Sequence, residues 1–295
     1  MYTRHVRDRF VAVTKAGVLQ DEDSGLVDLL RSDQLYKSLS LVLACNAGVK
    51  VPPSLLLLVV RRNLIAKFAN EFGYPLMIRV DYRSRPKAKP FGGVPLYTLD
   101  TMQRVSEDLI GQGCLPIFHP HLDRFKDVFS CGVLFTDQDH KADVEIVGTG
   151  FDAGDLRLGK AIPHETVQLN LATGSIERRT IIADDVYQRE RSARTKAIHR
   201  LKAYSDFVNH SAKLLADLGR FDLEFVDTDV SERMIPEHYE TMPSPLLKEL
   251  LGIVRVVKSD VLGSLPHSKV YVASLSYLPI EGWVLWDVYG DWYLR

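Results

Sequence analysis

The sequence predicts an α+β protein, built as two packed lobes or one large domain, with a strand-rich C-terminal extension. Three observations predict it. The chain has 295 residues, 46% apolar and 25% charged, a length and composition that bury a sizeable core without disulfides. Strand-like and helix-like apolar patterns are mixed, without the regular alternation of a βαβ winding. The segment beyond Leu251 carries several short runs rich in Val, Tyr and Trp, which read as strands. The expected division is 1–112 for the first lobe, 113–233 for the second and 234–295 for the extension.

Apolar residues at helical spacing (Leu26, Leu29, Leu30, then Leu39 and Leu43), broken by polar residues around Ser32 to Gln34, predict two helices between Ser24 and Ala47. Gly48 and the pair Pro52-Pro53 then stop the second helix and force extended backbone. Leu55 to Val60 reads as a strand, Arg62 to Phe72 as a helix ended by Gly73, and Pro75 to Val80 as a buried strand. Leu99 to Gly111 reads as a helix, Gly132 to Thr136 and Val144 to Val147 as strands, and Gly148 to Gly159 as a loop. A hairpin is expected around Ala172-Thr173-Gly174. Ser192 to Leu218 has the spacing of a long helix, Phe221 to Val226 of a strand, and Pro243 to about Leu251 of a further helix.

With 37 Lys plus Arg against 38 Asp plus Glu and a net charge of -1, no global field attracts nucleic acid or an anionic membrane. The mixed-charge stretch from Arg178 to Arg200 reads as a solvated helix face. Cys45, Cys114 and Cys131 are odd in number and far apart, which suits reduced thiols and, with no signal-like apolar region in the first residues, a cytoplasmic protein. The most apolar run, Leu55 to Val60, is far shorter than the ~20 residues that cross a bilayer. Walker, Gly-x-Gly-x-x-Gly and Gly-x-Ser-x-Gly motifs are absent from the sequence. His119 and His121 beside Asp123 are read as loop or core residues rather than a metal site. In Phe221-Asp222-Leu223-Glu224-Phe225, the period of two puts Asp222 and Glu224 on one face. That pairing suits Mg²⁺, a hard cation with oxygen ligands, or an exposed alternating strand.

Several segments, taken in order, resemble the ATP-binding domain of the phosphoenolpyruvate synthase and pyruvate phosphate dikinase family. They are Gly48-Val49-Lys50-Val51-Pro52-Pro53, with Lys37 sixteen residues before Pro53; Tyr74-Pro75-Leu76-Met77-Ile78-Arg79; Phe91-Gly92-Gly93-Val94 with Thr98; Cys131-Gly132-Val133-Leu134-Phe135-Thr136; Val144-Glu145-Ile146-Val147-Gly148; and Phe221 to Phe225. The resemblance implies a two-lobed ATP-grasp fold and covers about Lys37 to Val226. It implies that Lys37 and Arg79 meet the phosphates of ATP, that Gly92 and Gly93 cover them, that Thr136 and Glu145 contact the nucleotide, and that Glu224 holds Mg²⁺ with Asp222 or Glu237.

The chain departs from that family at Tyr36, where a glycine is usual, at Val80-Asp81, where two serines are usual, and in lacking a Gln-x-Arg-Pro ending near Pro236. No segment resembles a phosphohistidine domain. The resemblance therefore implies an ATP-dependent, kinase-like phosphotransferase whose acceptor is a small molecule or a separate protein. Two other readings stay open: a noncatalytic nucleotide sensor or assembly module, and an ATP-grasp ligase that activates a carboxylate as an acyl phosphate. Trp283, Trp286, Tyr289, Trp292 and Tyr293 are read as core or as a protein-partner surface in the extension.

Overall fold

The computed structural model describes residues 10–13, 18–20, 24–82, 94–120, 129–136, 140–149, 151, 156, 161–193, 195–196 and 235–291. Among them, twelve strands form two six-stranded sheets. The first sheet contains β1 (Phe10–Val13), β2 (Val18–Gln20), β3 (Ser54–Leu57), β4 (Leu76–Tyr82), β5 (Val94–Leu96) and β6 (Cys114–Pro120), in the order β2-β1-β3-β6-β4-β5. Its β1–β3 pair is parallel and its other pairs are antiparallel. The second sheet is antiparallel throughout. It contains β7 (Phe129–Thr136), β8 (Lys141–Gly148), β9 (Glu165–Asn170), β10 (Ser175–Ile181), β11 (Val270–Leu278) and β12 (Gly282–Gly290), in the order β10-β9-β8-β7-β11-β12. The strands expected in the extension are therefore β11 and β12, and β11 pairs directly with β7.

The helices are α1 (Ser24–Ser32), α2 (Tyr36–Asn46), α3 (Arg62–Phe72), α4 (Leu99–Gly111), α5 (184–193) and α6 (Ser244–Val256). α1 and α2 separate at Gln34, which takes φ 57°. Gly73, at φ 84°, ends α3 where a side chain would be strained. Thr98 Oγ1 accepts from the Thr101 N–H at 3.3 Å and caps α4. The strand expected from Leu55 to Val60 stops at Leu57, where its pairing with β1 ends. α6 passes the expected end at Leu251 because Leu247, Leu250, Leu251 and Val254 continue as a buried stripe into the π turn Val257–Val261. β1 and β2 are not anticipated by the sequence pattern. Most of the helix expected over Ser192 to Leu218, and all of the strand over Phe221 to Val226, lie outside the described residues.

Two apolar clusters organise the layers. Leu55, Leu57, Ile78, Val80, Cys114 and Phe118 cover one face of the first sheet and pack with Ile65, Phe68, Met102 and Leu109 of α3 and α4. The other cluster is continuous from Leu56, Leu115 and Ile117 through α1 and α2 to Cys131, Val133, Phe135, Leu275 and Leu285 of the second sheet, with α6 packed on it. One core thus binds α2 between the two sheets. Trp283, Trp286 and Tyr289 are all buried, so these three rings are interior rather than a partner surface. The stretch read as a solvated helix face begins instead in β10, and its Arg179 pairs with the fully buried Glu165. The three cysteines are free thiols, two of them buried. No helix among the described residues is long and apolar enough to cross a membrane.

Candidate functional site

β4 shows how the site is made. Its alternate residues Leu76, Ile78 and Val80 enter the cluster under α3 and α4, so the two-residue period turns Met77, Arg79 and Asp81 to the opposite face. Lys37, in the first turn of α2, meets this face: its Nζ donates to the Val80 carbonyl at 3.4 Å. The N-terminal N–H groups of a helix lack partners within it. Here Asp81 supplies one, as its Oδ2 accepts from the Ser38 N–H at 2.8 Å and the Ser38 hydroxyl at 2.6 Å. Burial raises the Asp81 pKa above the usual carboxylate value, and the Ser38 donors and the nearby Lys37 charge oppose that rise. Asp81 thus anchors the start of α2, and with it Lys37.

The third component comes from β12. Opposite the junction of Ser274 and Leu275 the register skips Trp286, leaving a bulge, a device that bends a strand and re-aims its groups. Arg79 donates from Nη1 to the Trp286 carbonyl at 3.0 Å and pairs through Nη2 with Asp287 Oδ2. Lys37 Nζ lies 3.5 Å from Asp287 Oδ1. The Trp286 ring stands 5.8 Å from the ring of His119 on β6. Lys37 and Arg79, from two elements of the first layer, therefore converge on one carboxylate of the second sheet. The side chains are nearly closed off: Lys37 is 7%, Arg79 12% and Asp287 4% exposed.

Asp287 also begins a row across the second sheet. It pairs in register with Ser274, Ser274 with Gly132, Gly132 with Glu145, and Glu145 with Thr166. Cross-strand partners share a face, so Asp287 and the exposed Glu145 lie on one face, three strand spacings or ~14 Å apart. Thr136 is at the end of β7, paired with Val270, and its carbonyl accepts from Lys258 Nζ at 3.1 Å. Glu237 is exposed, in a segment whose neighbours Pro236 and Tyr239 bond Tyr187 and the β9 residue Glu165. β9 lies four strands, or ~19 Å, from β12. Gly92, Gly93, Asp222 and Glu224 lie outside the described residues.

Asp287 is the residue that sequence reasoning missed. Its signal was present as the lone charge in Gly-Trp-Val-Leu-Trp-Asp-Val-Tyr-Gly, since a charge inside a buried apolar strand requires a partner. Its Oδ1 is buried and makes no hydrogen bond. An anionic oxygen of this kind is a candidate ligand for a hard divalent cation, although the Lys37 ammonium already lies 3.5 Å from it. Among the described residues no group of three or more His, Cys, Asp or Glu forms a metal cage, so such a cation would draw its remaining ligands from phosphate and water.

No protein-family profile matches the chain, and no curated protein does. Similar solved structures include D-alanine–D-alanine ligase from Bacillus anthracis complexed with ATP, at 9% identity and TM-score 0.40, covering 91% of this chain and 62% of that one. Carboxyaminoimidazole ribonucleotide synthase from Aspergillus clavatus complexed with ATP is similar at 10% identity and TM-score 0.40, covering 90% and 50%. The macrocyclase MdnC from Microcystis aeruginosa, bound with its precursor peptide MdnA, is similar at 11% identity and TM-score 0.36, covering 90% and 53%. The chain spans between half and five eighths of the length of these proteins.

Proposed function

We propose that this chain binds Mg-ATP in an ATP-grasp cleft between its two sheets and uses the γ-phosphoryl group to activate a carboxylate. The observation that supports it is the convergence of Lys37 and Arg79 on Asp287 across the boundary between sheets. Lys37 and Arg79 would hold the polyphosphate, Asp287 would hold Mg²⁺, and the nucleoside would extend along the row toward Glu145. Bound Mg²⁺ supplies charge neutralisation of the phosphates. The protein's own contribution is to fix these charges before reaction, which is most of what phosphoryl transfer asks. In the ligase reading a substrate carboxylate oxygen attacks the γ-phosphorus and ADP leaves. A second nucleophile, such as an amine, then attacks the acyl carbon, loses its proton and expels phosphate.

The departures from the dikinase group favour this reading over double phosphoryl transfer. Asp81 stands in place of a serine and serves α2, and the Gln-x-Arg-Pro ending is missing. The similar structures named above are titled ligase, synthase and macrocyclase, with ATP in two of them and a precursor peptide in the third. The phosphotransferase reading stays second, because the ordered motifs that resemble the phosphoenolpyruvate synthase family include Lys37 and Arg79. Asp222 and Glu224 remain proposed metal ligands on that resemblance, as do Gly92 and Gly93 for phosphate cover and Thr136 for nucleotide contact. Glu237 is the weakest of the set, given its distance from β12.

Titration calorimetry with Mg-ATP tests the site. Lys37→Ala and Arg79→Ala are each expected to weaken binding by about tenfold to a hundredfold, the effect of removing one charge-assisted contact. Unchanged affinity in both would reject the site. Product analysis with carboxylate and amine mixtures then separates the classes: ADP and phosphate appearing only when both are present supports a ligase, and AMP supports the dikinase-type transfer.

A further inference from the structure

The contacts of Asp287 carry an inference about selectivity, one that rests on the proposed nucleotide site. Each cation expected to hold phosphate already has a carboxylate oxygen as counter-ion: Lys37 on Oδ1 at 3.5 Å, and Arg79 on Oδ2. The group is nearly closed to water, with Asp287 4% and Arg79 12% exposed. Among the described residues neither oxygen is engaged by a neutral donor, and Oδ1 makes no hydrogen bond. Asp287 is therefore held by the two groups that an incoming polyphosphate would claim.

We propose that Asp287 is a specificity-determining residue that makes the site select the metal complex of a polyphosphate over the metal-free anion. A free polyphosphate reaching Lys37 and Arg79 must displace Asp287 and leave a buried carboxylate without a partner, beside a second anion; both are costly. A metal-bound polyphosphate brings the cation that Asp287 needs, so the carboxylate passes from Lys37 and Arg79 to the metal while the phosphates take its place. Charge balance is kept in the second exchange and broken in the first. The bulge at Trp286 belongs to the same device. With its carbonyl fixed by Arg79, it sets Asp287 on the cleft face at this point of β12.

The probes are ATP and inorganic tripolyphosphate, each with Mg²⁺ or with a chelator, titrated into the full chain by calorimetry or by Trp fluorescence. The wild-type protein is expected to bind each Mg²⁺ complex at least about tenfold more tightly than the metal-free anion. Asp287→Asn, which keeps the shape and removes the charge, is expected to abolish that ratio: metal-free affinity rises about tenfold and Mg²⁺ dependence is lost. If Asp287→Asn keeps the wild-type ratio, the selectivity role is overturned while the nucleotide site stands. If the wild-type protein binds neither probe in either form, the nucleotide reading fails and this inference with it. If Asp287→Asn does not fold, the wild-type ratio decides: equal affinity for tripolyphosphate with and without Mg²⁺ overturns the proposal, and a ratio above tenfold supports it.

Discussion

Two arginine–carboxylate pairs with buried carboxylates sit toward opposite ends of the second sheet, and they are built alike but held differently. Arg79 grips the Trp286 carbonyl and Asp287; Arg179 grips the Met242 carbonyl and Glu165. Glu165 is wholly buried and fixed from two sides. One oxygen is ion-paired with Arg179 at 2.5 Å, and the other accepts from the Tyr239 hydroxyl and the Met242 N–H, both at 3.2 Å. Among the described residues Asp287 is held by cations alone. Neutral main-chain and phenol donors cannot be carried off by a ligand, whereas cations can be recruited by a stronger anion. Burial of an ion pair is thus no mark of a binding site; what distinguishes one is whether its partners are replaceable.

The largest effect expected from this comparison is on stability at the β9 end. Glu165→Ala leaves Arg179 partly buried without its counter-ion and strips an acceptor from Tyr239 and Met242, so unfolding free energy in urea should fall by about 3–5 kcal/mol. The protein that remains folded should bind Mg-ATP with unaltered affinity. A loss of affinity as large as that of Arg79→Ala would show that the two ends are not independent and would break the comparison.

A second effect belongs to the same end and depends on pH. His164 precedes Glu165, is buried, and sits among the rings of Phe151, Tyr187 and Tyr239 at 4.7, 4.8 and 5.1 Å. Its Nδ1 accepts from the Gly148 N–H at 3.2 Å, and burial lowers its pKa from 6.5 to about 4. The unfolded chain therefore binds the proton more readily than the folded one between these values. Stability is full above about pH 6.5 and declines as pH falls toward 4, by up to about 3 kcal/mol. Urea denaturation of wild type and His164→Gln across this range checks it. The variant should lose the part of the slope that His164 supplies, and an identical slope in both would assign the acid sensitivity elsewhere.

What was legible in the sequence follows the range of the interactions involved. α3 and α4 fall on their expected bounds because local signals end or start them, Gly73 after one and Thr98 before the other. β4 was expected as a buried strand from Pro75 to Val80, and it runs from Leu76 to Tyr82, so that both Arg79 and Asp81 face α2. Lys37 was identified through family resemblance, since a lysine on a helix carries no local mark of its purpose. The rest is non-local. Asp287 acquires meaning when β12 is placed beside α2 and β4, contacts separated by more than two hundred residues. The bulge at Trp286 is invisible without the register of β11. Asp81 looked like a fault in the motif, and its use becomes plain with Ser38 in place.

The smallest effect is expected from Lys37→Met in the absence of nucleotide. Lys37 is 7% exposed, so its ammonium has given up most of its hydration. Its contacts with Asp287 and the Val80 carbonyl are both long, 3.5 and 3.4 Å, so neither returns much of that cost. Asp287 keeps Arg79 as a partner when Lys37 is removed, so no buried carboxylate is orphaned. Methionine fills a similar length without a charge to desolvate. Thermal or urea unfolding should therefore show a change within about 1 kcal/mol, in either direction. A fall comparable with that of Glu165→Ala would make Lys37 a structural counter-ion and erase the contrast between the two ends. Near-neutral stability together with lost Mg-ATP affinity is the signature of a cation kept for a ligand rather than for the fold.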